Sequence, residues 1–234
     1  MPDTADSGTA LDPNFRETIA LLDQNSIPYW VCHGTLLGVI RDGELIPWDH
    51  DIDIAIWADQ CPKPLAIRIM TDAGYKLIHD GADFDFLHFE KGNGRHVDFN
   101  FYRISEQTVL AFSEWFIPRS RACSILGRIA DPDAYAGKYR WVLRRLGFAS
   151  GIASRIVEYL KQRGLYYRSA GYTTPLAFLQ DFKHIKVADL EVRVPVRSEE
   201  VLSFVYGNDW RVPRQVYDWV AESPSTRVSN SRFK

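Results

Sequence analysis

The chain has 234 residues, 46% of them hydrophobic and 25% charged, with a formal net charge of −2. That length fits one domain, or one core domain with a helical extension, and the balanced charge neither requires nor excludes a polyanionic partner. Three widely separated cysteines (Cys32, Cys61 and Cys123) exclude a disulfide framework and a zinc spacing, and point to a reducing compartment.

The opening MPDTADSGTA is polar and acidic, without an apolar signal core, and residues 1–11 read as a disordered N-terminus. No apolar run reaches the length of a membrane span, so a soluble, cytoplasmic protein is expected. Asp12-Pro13 predicts a helix start, with Asp as cap and Pro at the first helical position; Phe15, Ile19 and Leu22 then form an apolar stripe to about Asn25. Pro28 closes that helix before a short strand, Tyr29 to Cys32. His33-Gly34-Thr35 and a helix-like Leu36 to Ile40 follow. A strand, a glycine turn and a helix N-terminus aim backbone N–H groups and a positive dipole end at an anion. Gly34 lets the backbone approach closely, and Thr35 offers a hydroxyl. Arg41 either meets a phosphate with its fork or pairs with Asp42 or Glu44, and phosphate is the favoured expectation. His33, directly before the glycine, joins this phosphate- or nucleotide-binding set. Trp48, in the next loop, is placed either to stack on a base or to bury the loop.

Asp49, Asp51 and Asp53 then alternate, the last two inside the apolar run Ile52, Ile54, Ala55, Ile56. Alternation with β-branched neighbours predicts a strand with Asp51 and Asp53 on one face and the isoleucines on the other. Two like charges side by side repel unless a cation neutralises them. Hard oxygen ligands at this spacing suit Mg²⁺, with Mn²⁺ as the substitute. Asp49 shares that side if the strand starts early, and otherwise orients a ligand or acts as a base. An anion cradle beside a carboxylate pair is what metal-assisted phosphoryl or nucleotidyl transfer needs.

Cys61-Pro62 and Pro64 open a second helix, with Leu65, Ile69 and Met70 as its apolar face and Gly74 as its end. Tyr75 to Ile78 reads as a strand; Phe84 to Glu90 and Arg95 to Tyr102 alternate around the turn Lys91-Gly92-Asn93-Gly94, a hairpin signal. The second arm carries Asp98, an acid in an apolar strand, with Asn100 on the same face. From Phe112 the character changes. Glu114 to Pro118 reads as a strand or turn, and Ala134 to Leu146 and Gly151 to Arg163 as helices. Between Arg119 and Arg168, basic residues far outnumber Asp131, Asp133 and Glu158. Such a face attracts phosphates, anionic glycans or a lipid headgroup layer, or it is a solvated surface. No nucleic-acid motif accompanies it, so no nucleic-acid partner is expected. Phe182 to Lys186 and Glu191 to Val196 predict short strands, Ser198 caps a helix through Phe204, and the chain after Pro224 reads as loose.

The pattern G-T-L-L-G-x-x-R followed by I-P-W-D-x-D-x-D closely resembles the LicD/fukutin family of phosphotransferases, members of the nucleotidyltransferase superfamily. Val194-Pro195, Leu202, Tyr206-Gly207-Asn208-Asp209-Trp210 and Pro213 resemble that family's closing segment. The resemblance implies an α/β (α+β) fold: a polymerase-β-like nucleotidyltransferase core with a mixed sheet, plus a helical C-terminal part. The boundaries expected are a catalytic core at 12–111, a mainly helical region with a basic face at 112–224 that returns to the core, and a tail at 225–234. A polymerase-β-like site draws a third carboxylate from a neighbouring strand, and Asp98 fits. The resemblance further implies transfer of phosphocholine, ribitol phosphate or glycerol phosphate from a CDP-activated donor to a sugar or glycan hydroxyl, with lipid-linked acceptors included. Asp51, Asp53 and Asp98 then hold the metal, and Asp98 or Asp49 takes the proton. Two other readings stay open: a nucleotidyltransferase placing NMP from an NTP on an antibiotic or sugar phosphate, and a non-catalytic binding protein on the same fold.

Overall fold

The computed structural model describes residues 11–80, 85–92, 94–105, 110–131, 140–145 and 147–229. The Asp-Pro pair opens α1 (Pro13–Gln24) as expected: the Asp12 carboxylate accepts from the Asn14 and Phe15 N–H groups at 2.9 and 3.2 Å. The elements that follow are β1 (Tyr29–Val31), α2 (His33–Arg41), β2 (Asp51–Trp57), α3 (Lys63–Asp72), β3 (Lys76–Asp80), β4 (Phe86–Glu90), β5 (His96–Ser105) and β6 (Leu110–Pro118). After these come α4 (Arg121–Ala130), α5 (Arg140–Arg145), α6 (Ser150–Gln162), β7 (Tyr167–Pro175), β8 (Phe182–Val187), β9 (Leu190–Pro195), α7 (Ser198–Tyr206), α8 (Trp219–Glu222) and β10 (Thr226–Ser229).

The main sheet is mixed, as the α/β expectation requires. β2 runs parallel to β5, in register from Asp51↔His96 to Trp57↔Tyr102, and β1 pairs antiparallel on the other edge of β2. A parallel pair needs a crossover, and α3, β3 and β4 supply it. The second edge of β5 is shared: β4 pairs with it over Val97–Asn100, β6 over Arg103–Ser105. β8 and β9 form a separate two-stranded sheet.

Register decides what each face carries. Ile52, Ile54 and Ile56 stand beside Val97, Phe99 and Phe101, and Leu87 and Phe89 of β4 continue the row; all are fully buried. Phe15, Ile19 and Leu22 of α1 and Ala66, Ile69 and Met70 of α3 belong to the same core. Each such aliphatic or aromatic side chain contributes about 1.5–3 kcal/mol by leaving water. A polar lock fixes α1 on the β4–β5 hairpin: the buried Asn14 donates from Nδ2 to the carbonyls of Lys91 and Arg95 at 2.9 and 2.8 Å. Gly94 is required there, since a Cβ would lie 2.4 Å from the Asn14 Cγ.

The chain divides into two compact units, residues 1–113 with 172–227 and residues 114–171 with 228–234. In the second, a Cβ on Gly127 of α4 would lie 2.1 Å from the hydroxyl of the buried Tyr166, and Ala153 and Val157 of α6 are buried.

Several expectations are corrected. Ser198 does not cap its helix. Arg197 is the cap residue, and the Ser198 hydroxyl donates to the Pro195 carbonyl at 2.5 Å. α4 lies where the sequence reading places no helix, although Arg121, Ser124, Gly127 and Arg128 fall on one face and Ala122, Ile125, Leu126 and Ile129 on the other. β7 went unread because glycine, serine and proline disguise it. The segment after Pro224 holds a strand, β10, and the Thr173 N–H donates to the Ser225 carbonyl at 2.9 Å. Of the helix expected over Ala134 to Leu146, 140–145 is α5; residues 134–139 and 146 lie outside the described residues, as do residues 1–10 of the expected disordered start and Asn93 of the hairpin turn.

Candidate metal and transfer site

The face of the sheet opposite the isoleucines carries Asp51 and Asp53 on β2, His96, Asp98 and Asn100 on β5, and His88 on β4. Register makes Asp53 the neighbour of Asp98, and Asp98 the neighbour of His88. One carboxylate oxygen each from Asp51, Asp53 and Asp98 falls within 4.8 Å of the other two. The three expected ligands therefore meet, drawn from two strands.

The start of α2 holds this group in place. The Gly34 N–H donates to Asp53 Oδ2 at 3.1 Å, and the Thr35 hydroxyl accepts from the Asp53 N–H at 2.8 Å. The Cys32 N–H donates to the Asp53 carbonyl at 3.1 Å. So the helix N-terminus faces an anion, and that anion is the Asp53 carboxylate. A Cβ on Gly34 would stand 2.3 Å from Asp49 Oδ2, and the missing side chain is what admits Asp49. Asp49 lies in the turn before β2, its N–H donating to the Ile46 carbonyl at 3.1 Å.

Electrostatics follow from crowding. Burial first, then the negative charge of Asp51, pushes Asp49 up to about 7. Burial and its neighbouring aspartates hold Asp53 well above the usual carboxylate range, and burial also raises Asp51. Hard oxygens that repel one another are the donor set a divalent cation relieves, so these residues fit Mg²⁺.

His33 has φ +45°, the left-handed region that non-glycine residues rarely adopt. Its ring centroid lies 3.9 Å from that of Tyr172, its Nε2 lies 3.4 Å from the Tyr102 hydroxyl, and burial lowers its pKa to about 3. The imidazole is therefore neutral near pH 7. Arg41 forms a two-pronged pair with Asp42, Nε to Oδ1 at 2.8 Å and Nη2 to Oδ2 at 2.6 Å, which is the other of its two expected roles. Trp48 is 39% exposed in the loop before β2.

Sequence reasoning missed four residues here. The phenols of Tyr102, Tyr172 and Tyr206 are all raised by burial and by the charge of Asp53. His88 donates to or accepts from Asp98 through Nδ1 at 2.5 Å. Counting back from the hairpin turn pairs His88 with Asp98, so that signal was present; Tyr206 lies in the closing segment that carries the family resemblance, whereas Tyr102 and Tyr172 carried no signal. An open groove of about 720 Å³, lined in part by Ile40, Lys183, Glu199, Asn208, Trp210 and Arg211, contains none of the four aspartates.

A mixed sheet presenting carboxylates from a parallel strand pair, braced by a helix N-terminus, defines a domain of the nucleotidyltransferase type. Residues 26–125 match the LicD/FKTN/FKRP nucleotidyltransferase domain. The segment is 29% identical over 98 residues to the human ribitol 5-phosphate transferase FKRP, covering 38% of this chain and 19% of that protein. A longer, weaker similarity, 21% over 207 residues, joins it to the ribitol-5-phosphate transferase FKTN of Macaca fascicularis, covering 88% of this chain and 34% of the relative. The chain thus matches only a fifth to a third of the length of these relatives. Among solved structures, the lincomycin-bound lincosamide adenylyltransferase LnuA overlaps with a TM-score of 0.43 at 12% identity, covering 81% of this chain and 82% of that one.

Proposed function

We propose that the protein is a metal-dependent transferase that moves a phospho-alcohol group from a CDP-activated donor to a hydroxyl of a sugar or glycan, releasing CMP. The observation that carries this reading is the meeting of Asp51, Asp53 and Asp98 on one sheet face. The family match and the ribitol 5-phosphate transferases among its relatives support the substrate class, phosphocholine and glycerol phosphate being the other candidate groups.

Asp51, Asp53 and Asp98 would hold Mg²⁺, or Mn²⁺ in its place. Such an ion neutralises charge on a diphosphate and lowers the pKa of a nearby hydroxyl. In the transfer, the acceptor oxygen bonds to the phosphorus that carries the alcohol. The bond from that phosphorus to the bridging oxygen breaks, CMP leaves with the electron pair, and Asp98 or Asp49 accepts the acceptor's proton. Gly34 and Thr35 keep Asp53 aimed. Neutral His33, packed on Tyr172, closes one wall without adding charge. Trp48 offers its exposed ring to the cytosine. Arg41 reaches a donor phosphate only by releasing Asp42.

The proposed location is cytoplasmic, with peripheral contact at a membrane that presents a lipid-linked acceptor. No described helix is long and apolar enough to cross a membrane. Within the second unit, Ile152, Ile156 and Tyr159 form an exposed stripe on α6, with Arg155 at helical spacing from Ile152 and Tyr159, and Arg163 over the Tyr159 ring, which supports contact with anionic headgroups.

The test is a thermal-shift panel of CDP-ribitol, CDP-glycerol, CDP-choline, CMP and nucleoside triphosphates, with and without Mg²⁺, followed by product analysis. A metal-dependent shift for CDP-alcohols, with CMP released on adding a glycan acceptor, is expected. Pyrophosphate released from a triphosphate would move the assignment to nucleotidyl transfer. No metal-dependent nucleotide binding at all would leave a binding protein.

A further inference from the structure

We propose that His88, Glu90 and His96 form a second metal site, separate from the carboxylate trio and selective for a borderline transition ion such as Zn²⁺. His88 and Glu90 alternate on β4, so their side chains share a face, and His96 begins the facing strand β5. One donor atom from each lies within 4.8 Å of the other two. Glu90 Oε1 stands 3.8 Å from His88 Nε2 and 3.6 Å from His96 Nε2, and the two imidazole rings meet edge-on with centroids 4.8 Å apart.

Those separations are too long for hydrogen bonds. They are close to the spacing of ligands around an ion: two donors about 2.0–2.1 Å from Zn²⁺ at a tetrahedral angle are roughly 3.4 Å apart. The two separations to Glu90 are thus within a few tenths of an ångström of ligand spacing, and the two histidine donors, within 4.8 Å of each other, close on the ion by side-chain rotation. The chemistry differs from that of the trio. Two imidazole nitrogens and one carboxylate favour Zn²⁺, Co²⁺ or Ni²⁺, whereas three carboxylates favour Mg²⁺.

The second observation is what lies behind His88. Its Nδ1 is 2.5 Å from Asp98 Oδ1, and an Nδ1–H donated to that carboxylate leaves the Nε2 lone pair pointing at Glu90 and His96. A carboxylate behind a histidine ligand is the arrangement that fixes the tautomer and raises ligand basicity in zinc sites. Glu90 and His96 are nearly half exposed, so the ion has an entry path and an open position for water.

The experiment uses the full chain, stripped with chelator and held in millimolar Mg²⁺ to fill the carboxylate trio. Zn²⁺ is titrated by competition with a chromophoric chelator, and Co²⁺ is added separately to read visible absorption bands of imidazole-ligated ion. The expected result is one equivalent of tight Zn²⁺, with affinity lowered about a hundredfold or more in His96→Ala and in Glu90→Gln and unchanged in Asp51→Asn; losing a ligand costs at least as much as the ~10–100-fold known for supporting residues. Both altered side chains are half exposed, and circular dichroism checks that the variants fold. The proposal is overturned if the wild type takes up no stoichiometric Zn²⁺. It is equally overturned if Zn²⁺ affinity survives in His96→Ala and Glu90→Gln, or falls as much in Asp51→Asn.

Discussion

Asp49 shows how one side chain reports on the whole acidic group. In the folded chain it titrates near 7, against 3.8 ordinarily, so over that window the folded state binds more protons than the unfolded one. Stability that is fully present below about pH 4 is therefore lost as pH rises through 7. In metal-free protein, the melting temperature of wild type should fall more between about pH 5 and pH 8 than that of Asp49→Asn, and Mg²⁺ should restore most of the difference at the higher pH. A parallel fall in both would show that Asp49 is not strained by its neighbours. Gly34 gives a second prediction. Gly34→Ala places a methyl 2.3 Å from Asp49 Oδ2 and 3.6 Å from Asp53 Oδ2. The Asp49 side chain can swing away, so the fold should survive with a loss of about 1 kcal/mol, at the low end for overpacking, while the Mg²⁺-dependent thermal shift disappears. Calorimetry with and without the ion measures both. The motif around these residues was readable because alternation alone places Asp51 and Asp53 together. The employment of Gly34 and Thr35 on Asp53 was not readable, because two hydrogen bonds spanning 19 and 18 residues depend on how α2 crosses β2.

Elements are held together by a few polar locks as well as by the core. Asn14 is buried and makes two hydrogen bonds to carbonyls on either side of the β4–β5 turn. Asn14→Ala leaves both carbonyls without that donor and should lower stability by about 1–3 kcal/mol, read from the midpoint of a urea unfolding curve. An unchanged midpoint would mean that water takes over the role. In the core, Ile54→Ala removes a fully buried side chain beside Phe99 and should cost about 2–5 kcal/mol by the same measurement. Elements with strong period were legible: α1, α3, α6, β2, β4 and β5 all lie within a few residues of expectation. α4 and β7 were not. The Ser120 hydroxyl caps α4 by accepting from the Cys123 N–H at 3.2 Å, a signal hidden among arginines, and the glycine and proline of β7 read as a loop.

At the scale of the molecule, the second unit carries an exposed apolar stripe bordered by basic residues. On α6, Ile152, Ile156 and Tyr159 are 67%, 43% and 54% exposed at helical spacing, and the Arg163 guanidinium lies 5.3 Å from the Tyr159 ring centroid. Wild type should co-sediment with vesicles containing anionic lipid and release them as salt rises. Replacing Ile152 and Ile156 together by Asp should lower binding about tenfold or more, since ~25 cal/mol is lost per Å² of apolar surface left in water. Equal binding by the double variant would mean that the basic residues act alone or that the face is simply solvated. By itself the sequence determined the mixed α/β class, the acidic strand and the resemblance to the LicD/fukutin family, because those rest on local periodicity and a contiguous motif. Only the tertiary structure decided that Asp98 stands beside Asp53, that His88 stands behind Asp98, and that Arg41 turns to Asp42. The first two are matters of strand register between distant segments, and the last is a competition between charges that spacing along the chain does not rank.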